Sequence, residues 1–305
     1  VYRALPASGA LLVALSLLEI FLLLRPGPAW HAAAGVMAFI AGALVITLWL
    51  LSGTGAPGHV RTDANLMGLR GDAPVRCWLV AHLDTKAQGH SMAGRLVTLW
   101  ITVVAVAGLI TSAWLRLDGP QPLPLAVATG AVGVLAGLLL SGGRLVGESP
   151  GARDNGSGLL AVLTAAEVTT DPGVGVLITG AEEFGLAGAR AFVREHHALL
   201  RGTEVINVDT VDDEGTLFVV THGDADSLAG RVRDRVAGLA RVRGRRLPLG
   251  IMVDGVPLAG PASGTVTIGR LSWGTLRRMH TPRDDAPGYA LATAELLGER
   301  LATPI

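Results

Sequence analysis

Five short stretches of the 305-residue chain place histidines and carboxylates where apolar runs end. Ala81-His82-Leu83-Asp84 closes the first run. His82 and Asp84, two residues apart, share one face of an extended backbone, and a nearby carboxylate is a common support for the second ring nitrogen of a metal-binding histidine. Taken alone, such a pair is frequent by chance. Gly151-Ala152-Arg153-Asp154-Asn155-Gly156-Ser157-Gly158 reads as a glycine-rich loop with Asn155 or Ser157 capping the next helix. It lacks the Gly-Lys-Ser/Thr ending of a phosphate loop. Glu182 and Glu183 directly follow another apolar run. On extended backbone they point in opposite directions, so one can bind a metal while the other works as a base. Equally, acids gather at a solvated helix start, where the dipole favours them. Asp209 ends a further run, and Asp212 and Asp213 read as solvated loop acids. His280 sits beside a turn in Met279-His280-Thr281-Pro282-Arg283-Asp284. Together, two histidines and three acids suffice for two zinc ions, because zinc accepts imidazole nitrogen and carboxylate oxygen and a catalytic site keeps a position for water. The charges of two Zn²⁺ balance Asp154, Glu183, Asp209 and a bridging hydroxide.

Such side chains need rigid elements to bring them together. Val75–Ala81, Val174–Thr179, Glu204–Val208, Leu217–Thr221 and Thr265–Ile268 are short apolar runs with β-branched residues, which read as buried strands. Helical patterns occupy Ser157–Val168, Leu186–His197, Asp226–Leu239 and Tyr289–Leu301. The expected fold class is therefore α/β, a mixed, largely parallel sheet covered by helices, with active groups at the carboxyl ends of strands.

The ordered segments AHLDT, GARDNGSG, AEEFGLAGA, INVDT and MHTPRDD closely resemble metallopeptidase family 28. This is the di-zinc aminopeptidase family, which also includes glutamate carboxypeptidases and glutaminyl cyclases. The resemblance covers roughly residues 75–305, minus an inserted apolar segment. It implies a zinc-aminopeptidase-like fold and two Zn²⁺ ions, with His82 and Asp209 on one ion, Glu183 and His280 on the other, and Asp154 bridging both. It further implies that Asp84 orients His82, that Glu182 is general base and then general acid, and that the Asp154–Asn155 peptide is cis. The implied activity is a zinc-dependent metallopeptidase, an aminopeptidase-like hydrolase removing N-terminal residues from peptides. A carboxypeptidase or glutaminyl-cyclase-like enzyme on the same centre, or an inactive membrane scaffold with the peptidase fold, are the alternatives. The motif His-Thr-Pro-Arg-Asp-Asp departs from the commoner His-Thr-Pro-x-Asp-Thr, which leaves the ligand in place and puts the neighbouring turn in doubt.

Half the residues are hydrophobic and 16% are charged, against about 25% in an average soluble domain. Disorder is excluded. Twenty-five basic residues balance twenty-five acidic ones, without the basic excess of a nucleic-acid binder. Cys77, the single cysteine, excludes an intrachain disulfide and a thiolate metal cluster. Ala4–Leu24, Ala32–Leu51, Leu96–Leu115 and Leu123–Gly143 each approach the roughly 20 apolar residues that cross a bilayer. The last is Gly/Ala-rich and the weakest of the four. Trp30, Trp49 and Trp114 stand at span ends, where indole favours the headgroup zone. The competing readings are buried helices of a soluble protein and, for the first span, a cleaved signal peptide.

Four transmembrane helices in two hairpins are thus expected. Residues 1–55 form the N-terminal hairpin, 56–92 and 144–305 the zinc peptidase domain, and 93–143 a second hairpin inserted in it. Arg3, Arg61, Arg70, Arg95, Arg144 and Arg153 fall on one side, against Arg25 and Arg116 on the other, which places the catalytic domain in the cytoplasm of a multi-pass cell-membrane protein. The expected partners are a peptide substrate and the lipid bilayer. Glu19 is a candidate intramembrane group or a snorkelling side chain. His196 and His197 carry no expected role, His90 and His222 are minor candidates for the cleft, and His31 is read as interfacial.

Overall fold

Charge-free apolar sequence folds as helix where it is long and as strand where it is short and bounded by turn residues. Both outcomes occur here, in separate parts of the chain. The computed structural model describes residues 4–24, 30, 33–35, 37–38, 41–42, 62–117, 123–246, 251–286 and 289–303. The chain divides into two compact units, residues 1–60 with 88–146 and residues 61–87 with 147–305.

The described residues of the first unit are largely helical. It contains α1 (Ala4–Leu24), α2 (Met92–Leu117) and α3 (Leu123–Ser141). Within α2, Met92–Leu115 is long and apolar enough to cross a membrane, while the apolar stretches Pro6–Leu22 and Val127–Ser141 are shorter. Ala32–Leu51, Arg3, Arg25, Arg61, His31 and Trp49 lie wholly or largely outside the described residues. The glycines that dilute the apolar character of α3 have a packing use. A β-carbon at Gly137 would stand 2.6 Å from the Gly9 carbonyl oxygen of α1, so only a bare backbone permits this approach. Glu19 is 3% exposed, with Gly35 packed tightly against its carboxylate; burial replaces the snorkelling alternative. The two ends of the inserted segment meet, since Gln88 pairs with Leu145 and the Gly89 N–H donates to the Arg144 carbonyl at 2.9 Å. His90 belongs to this unit, its Nε2 lying 2.7 Å from the Leu139 carbonyl oxygen.

The second unit is a seven-stranded sheet with helices. Its strands are β1 (Leu66–Gly68), β2 (Cys77–His82), β3 (Val174–Thr179), β4 (Glu204–Val211), β5 (Thr216–His222), β6 (Val242–Arg246) and β7 (Gly264–Leu271). The spatial order is β1-β3-β2-β4-β7-β5-β6. Pairing is parallel for β3–β2, β2–β4, β4–β7 and β5–β6, and antiparallel for β1–β3 and β7–β5. The helices are α4 (Gly158–Val168), α5 (Ala187–Leu200), α6 (Asp226–Val236), α7 (Gly255–Leu258), α8 (Trp273–Arg278) and α9 (Ala292–Leu301). One apolar cluster joins Leu79, Ile206, Val208 and Ile268 of the strands to Val162, Val232 and Leu297 of α4, α6 and α9. A second sets Trp78, Val80, Leu177 and Val205 against Phe192 of α5 and Leu258 of α7. The sheet is therefore buried on both faces, as a largely parallel sheet requires.

The chain leaves β2 for β3 on one side and later for β4 on the other. In such sheets ligands collect outside the carboxyl ends of strands at this reversal, and His82 is the last residue of β2.

Candidate metal centre

Each candidate ligand is delivered by a different element. His82 ends β2, Glu182 and Glu183 occupy the turn after β3, and Asp209 lies near the end of β4. Asp154 sits in a kinked turn, Ala152–Ser157, ahead of α4, where Asp154 and Asn155 leave helical backbone angles, and His280 follows α8. These elements converge. His82 Nε2 is 3.3 Å from Asp154 Oδ1 and 3.8 Å from Asp209 Oδ1. His280 Nε2 is 3.0 Å from Asp154 Oδ2 and 3.1 Å from Glu183 Oε1. The two carboxylate oxygens of Asp154 therefore serve two separate groups, His82–Asp154–Asp209 and Asp154–Glu183–His280, each with donor atoms within 4.8 Å of one another.

The backbone is shaped around these residues. The Asp154–Asn155 peptide is cis. Ala181 before Glu182, Thr210 after Asp209 and His280 itself have φ of 51°, 59° and 62°. Non-glycine residues in this left-handed region carry strain, which concentrates at functional sites. The β4–β7 register shifts between Val208 and Val211, and such a bulge re-aims the side chain within it, here Asp209. Gly269 of β7 faces the bulge, where a β-carbon would come within 2.6 Å of the Asp209 carbonyl oxygen.

Polar side chains fix the turns. The Asp84 carboxylate accepts the backbone N–H groups of Glu182 at 2.8 Å and Glu183 at 3.0 Å. It lies 3.7 Å from His82 Nδ1, which is instead 3.0 Å from the Asp84 carbonyl oxygen. Asp84 thus supports the imidazole through its backbone and the acidic pair through its side chain. Asp284 accepts the N–H groups of Arg153 at 3.0 Å and Asp154 at 3.1 Å. Asn155 donates to the Val208 carbonyl at 2.9 Å and accepts the Gly158 and Thr210 N–H groups, both at 3.1 Å. It caps α4 while tying that helix to β4.

Glu182 and Glu183 are buried, and α5 begins only at Ala187. They lie in a buried turn and not on extended backbone, and the solvated-helix-start reading does not hold. Asp212, expected in solvent, is 6% exposed. It accepts a hydrogen bond from Thr275 Oγ1 and lies 3.4 Å from Arg153 Nε. Arg153, expected near a span end, is buried with its guanidinium over the Tyr289 ring at 4.1 Å. Asp213 accepts the Thr293 N–H at 2.8 Å at the start of α9. His222 is buried, 2.8 Å from Thr267 Oγ1. His196 and His197 are exposed near the end of α5.

Two residues near the centre carried no sequence signal. Lys86 donates from Nζ to Glu183 Oε2 in a buried ion pair. Asp254, just before α7, is fully buried and accepts a hydrogen bond from Thr179 Oγ1. Burial pushes its carboxyl up to about 6, with Asp209 and Asp84 adding to the rise.

Electrostatics at the centre favour cations. Burial by itself would lower the His82 pKa, but Glu182, Asp154, Asp209 and Asp84 reverse this and raise it well above the ordinary value. Burial likewise opposes the rise at His280, which Glu183 and Asp154 impose. Burial works against ionisation of Asp154, and the two imidazoles overcome it and hold that carboxyl low. Glu182 is raised well above its ordinary value by burial and by the charges of Glu183, Asp209 and Asp254. A negative potential focused on two imidazoles, with oxygen and nitrogen donors in two sets sharing Asp154, fits a pair of divalent cations.

Residues 140–246 match Peptidase family M28. The matched stretch holds Asp154, Glu182, Glu183 and Asp209, while His82, Asp84 and His280 lie outside it. Over 130 residues the chain is 32% identical to a Mycobacterium tuberculosis protein described as "Probable lipoprotein aminopeptidase LpqL", covering 37% of this chain and 26% of that one. The chain thus spans about a quarter of the length of this curated relative. Among solved structures, a zinc aminopeptidase from Bacillus subtilis is 18% identical, with a TM-score of 0.48 over 78% of this chain and 48% of that one. The LapA aminopeptidase of Legionella pneumophila is 20% identical, with a TM-score of 0.42 over 53% and 50%.

Proposed function

We propose that this chain is a zinc-dependent metallopeptidase of the aminopeptidase type, held at a membrane by its helical unit. The observation that carries the reading is the Asp154 carboxylate, whose Oδ1 faces His82 and Oδ2 faces His280. The match to Peptidase family M28 and the aminopeptidase relative support the same class. His82, Asp154 and Asp209 would hold one ion, and Asp154, Glu183 and His280 the other. When bound, two such ions lower the pKa of a water and polarise the scissile carbonyl.

The remaining work falls to the chain. Glu182 is buried beside the ligands, and burial with the neighbouring acids makes its carboxylate more basic than usual; in its ionised form it can accept the proton of the attacking water and then, as the acid, pass it to the leaving amine. Asp84 keeps Glu182 in place by accepting its backbone N–H. Asp284 does the same for Asp154. The substrate class is a peptide with a free N-terminus. The apolar segments 4–24, 32–51, 96–115 and 123–143 would form two membrane hairpins, with the sheet unit in the cytoplasm.

The test is hydrolysis of amino-acyl amides by the purified full chain, with metal content measured in parallel. Glu182→Gln is expected to lower kcat by about 10²–10⁴-fold with zinc content unchanged. Normal turnover by that variant would refute the assigned role. Failure of the zinc-loaded wild type to cleave any member of the panel would refute the activity.

A further inference from the structure

Lys86 is the chain's one lysine, and it is buried. A buried ammonium is stable only beside a compensating charge. Its partner is Glu183, which it binds through Oε2. The other oxygen, Oε1, is the one that stands 3.1 Å from His280 Nε2. Glu183 therefore has one oxygen committed to a fixed positive charge and the other turned towards the group Asp154–Glu183–His280. Glu183 is not part of the group His82–Asp154–Asp209.

The charge count separates the two groups further. Asp154, Glu183 and Asp209 together balance one divalent ion and one ammonium. Asp84 and Glu182 add negative charge beside His82, so a second divalent ion still enters a favourable field, but one that the ammonium weakens, and in a buried site that effect is poorly screened. The position nearest the ammonium is weakened most.

We propose that Lys86 makes the two cation positions unequal. Its ammonium restrains Glu183 through Oε2 and weakens the position formed by Asp154, Glu183 and His280 relative to that formed by His82, Asp154 and Asp209. The weaker position then fills and empties with the surrounding concentration of divalent transition metal, while the tighter one stays filled. Lys86 acts through Glu183 and is a positioning residue. The inference rests on the metal-centre reading above.

The experiment is a calorimetric zinc titration of the detergent-solubilised full chain after chelation, with atomic emission counting of bound metal. Wild type is expected to bind two ions with Kd values at least about a hundredfold apart. Lys86→Gln is expected to tighten the weaker step by at least about tenfold, while Lys86→Arg, which keeps the charge, preserves the gap. Glu183→Gln should remove only the weaker step, and Asp209→Asn should weaken the tighter one. Two wild-type steps of equal Kd overturn the proposal, as does a Lys86→Gln variant whose weaker step is unchanged or weaker still. If the neutral variant does not fold, the wild-type gap and the Glu183→Gln titration decide by the same criteria. A wild type that binds no zinc overturns the metal centre itself, an outcome distinct from two equal sites.

Discussion

The backbone that presents the Asp154 carboxylate is held by Asp284. Asp284 is fully buried and receives two backbone N–H groups, from Arg153 and Asp154. Asp284→Ala orphans both donors, and a buried unsatisfied donor costs about 1–3 kcal/mol. The variant should lose about 2–4 kcal/mol of stability and bind zinc more weakly; denaturant midpoints and metal titration measure the two effects. In the sequence Asp284 is legible only as part of an unusual ending to the His-Thr-Pro motif. Its role depends on a loop more than a hundred positions earlier in the chain, which no local pattern reveals. Lys86 and Asp254 were illegible for the same reason: their partners, Glu183 and Thr179, are distant in sequence.

His222 gives a prediction on pH. Burial pushes its imidazole down to about 4, below the ordinary 6.5. Between these values the unfolded chain binds the extra proton, so this contribution to stability is complete above pH 6.5 and is lost as pH falls towards 4. His222→Gln should remove that slope. The stability difference between wild type and variant is expected to change by roughly 1–3 kcal/mol between pH 7 and pH 4, as read from urea unfolding at a series of pH values. A difference independent of pH contradicts the burial argument.

Among elements, the five strands expected from short apolar runs all occur, and Val174–Thr179 has the same bounds. Glu204–Val208 extends to Val211 because the bulge at Asp209 and Thr210 interrupts pairing without ending the strand. Two further strands escaped the pattern. β1 has three exposed residues, and β6 reads Val-Arg-Gly-Arg-Arg with four of its five residues exposed. An edge strand has one neighbour and little need for apolar side chains, so periodicity is silent there. The loops that carry the candidate ligands are positioned by side-chain clamps instead of repeating patterns. Asn155 alone makes three hydrogen bonds linking the turn before α4 to β4. Asn155→Ala should destabilise the chain by about 2–4 kcal/mol and reduce zinc binding, whereas loss of a simple helix cap costs about 1 kcal/mol. Thermal unfolding with and without zinc separates these outcomes.

At the scale of the whole molecule, a helical unit and a sheet unit are interleaved along one chain. Residues 88–146 interrupt the sheet unit, and α2 within them has 26 residues. At 1.5 Å per residue it exceeds the roughly 30 Å hydrocarbon thickness. The full chain should remain with the membrane pellet after alkaline carbonate washing and enter solution only in detergent. Release by carbonate alone would contradict spanning helices. The composition made the apolar stretches visible, but the glycines of α3 lowered its apparent suitability for lipid, because their contribution is close approach to α1.

The outer strand β6 has a consequence for how the protein behaves in a crowded cell. Its outer edge, unpaired among the described residues, exposes Arg243, Arg245 and Arg246, and two such edges brought together would set like charges side by side. Repulsion there discourages end-to-end sheet growth between copies.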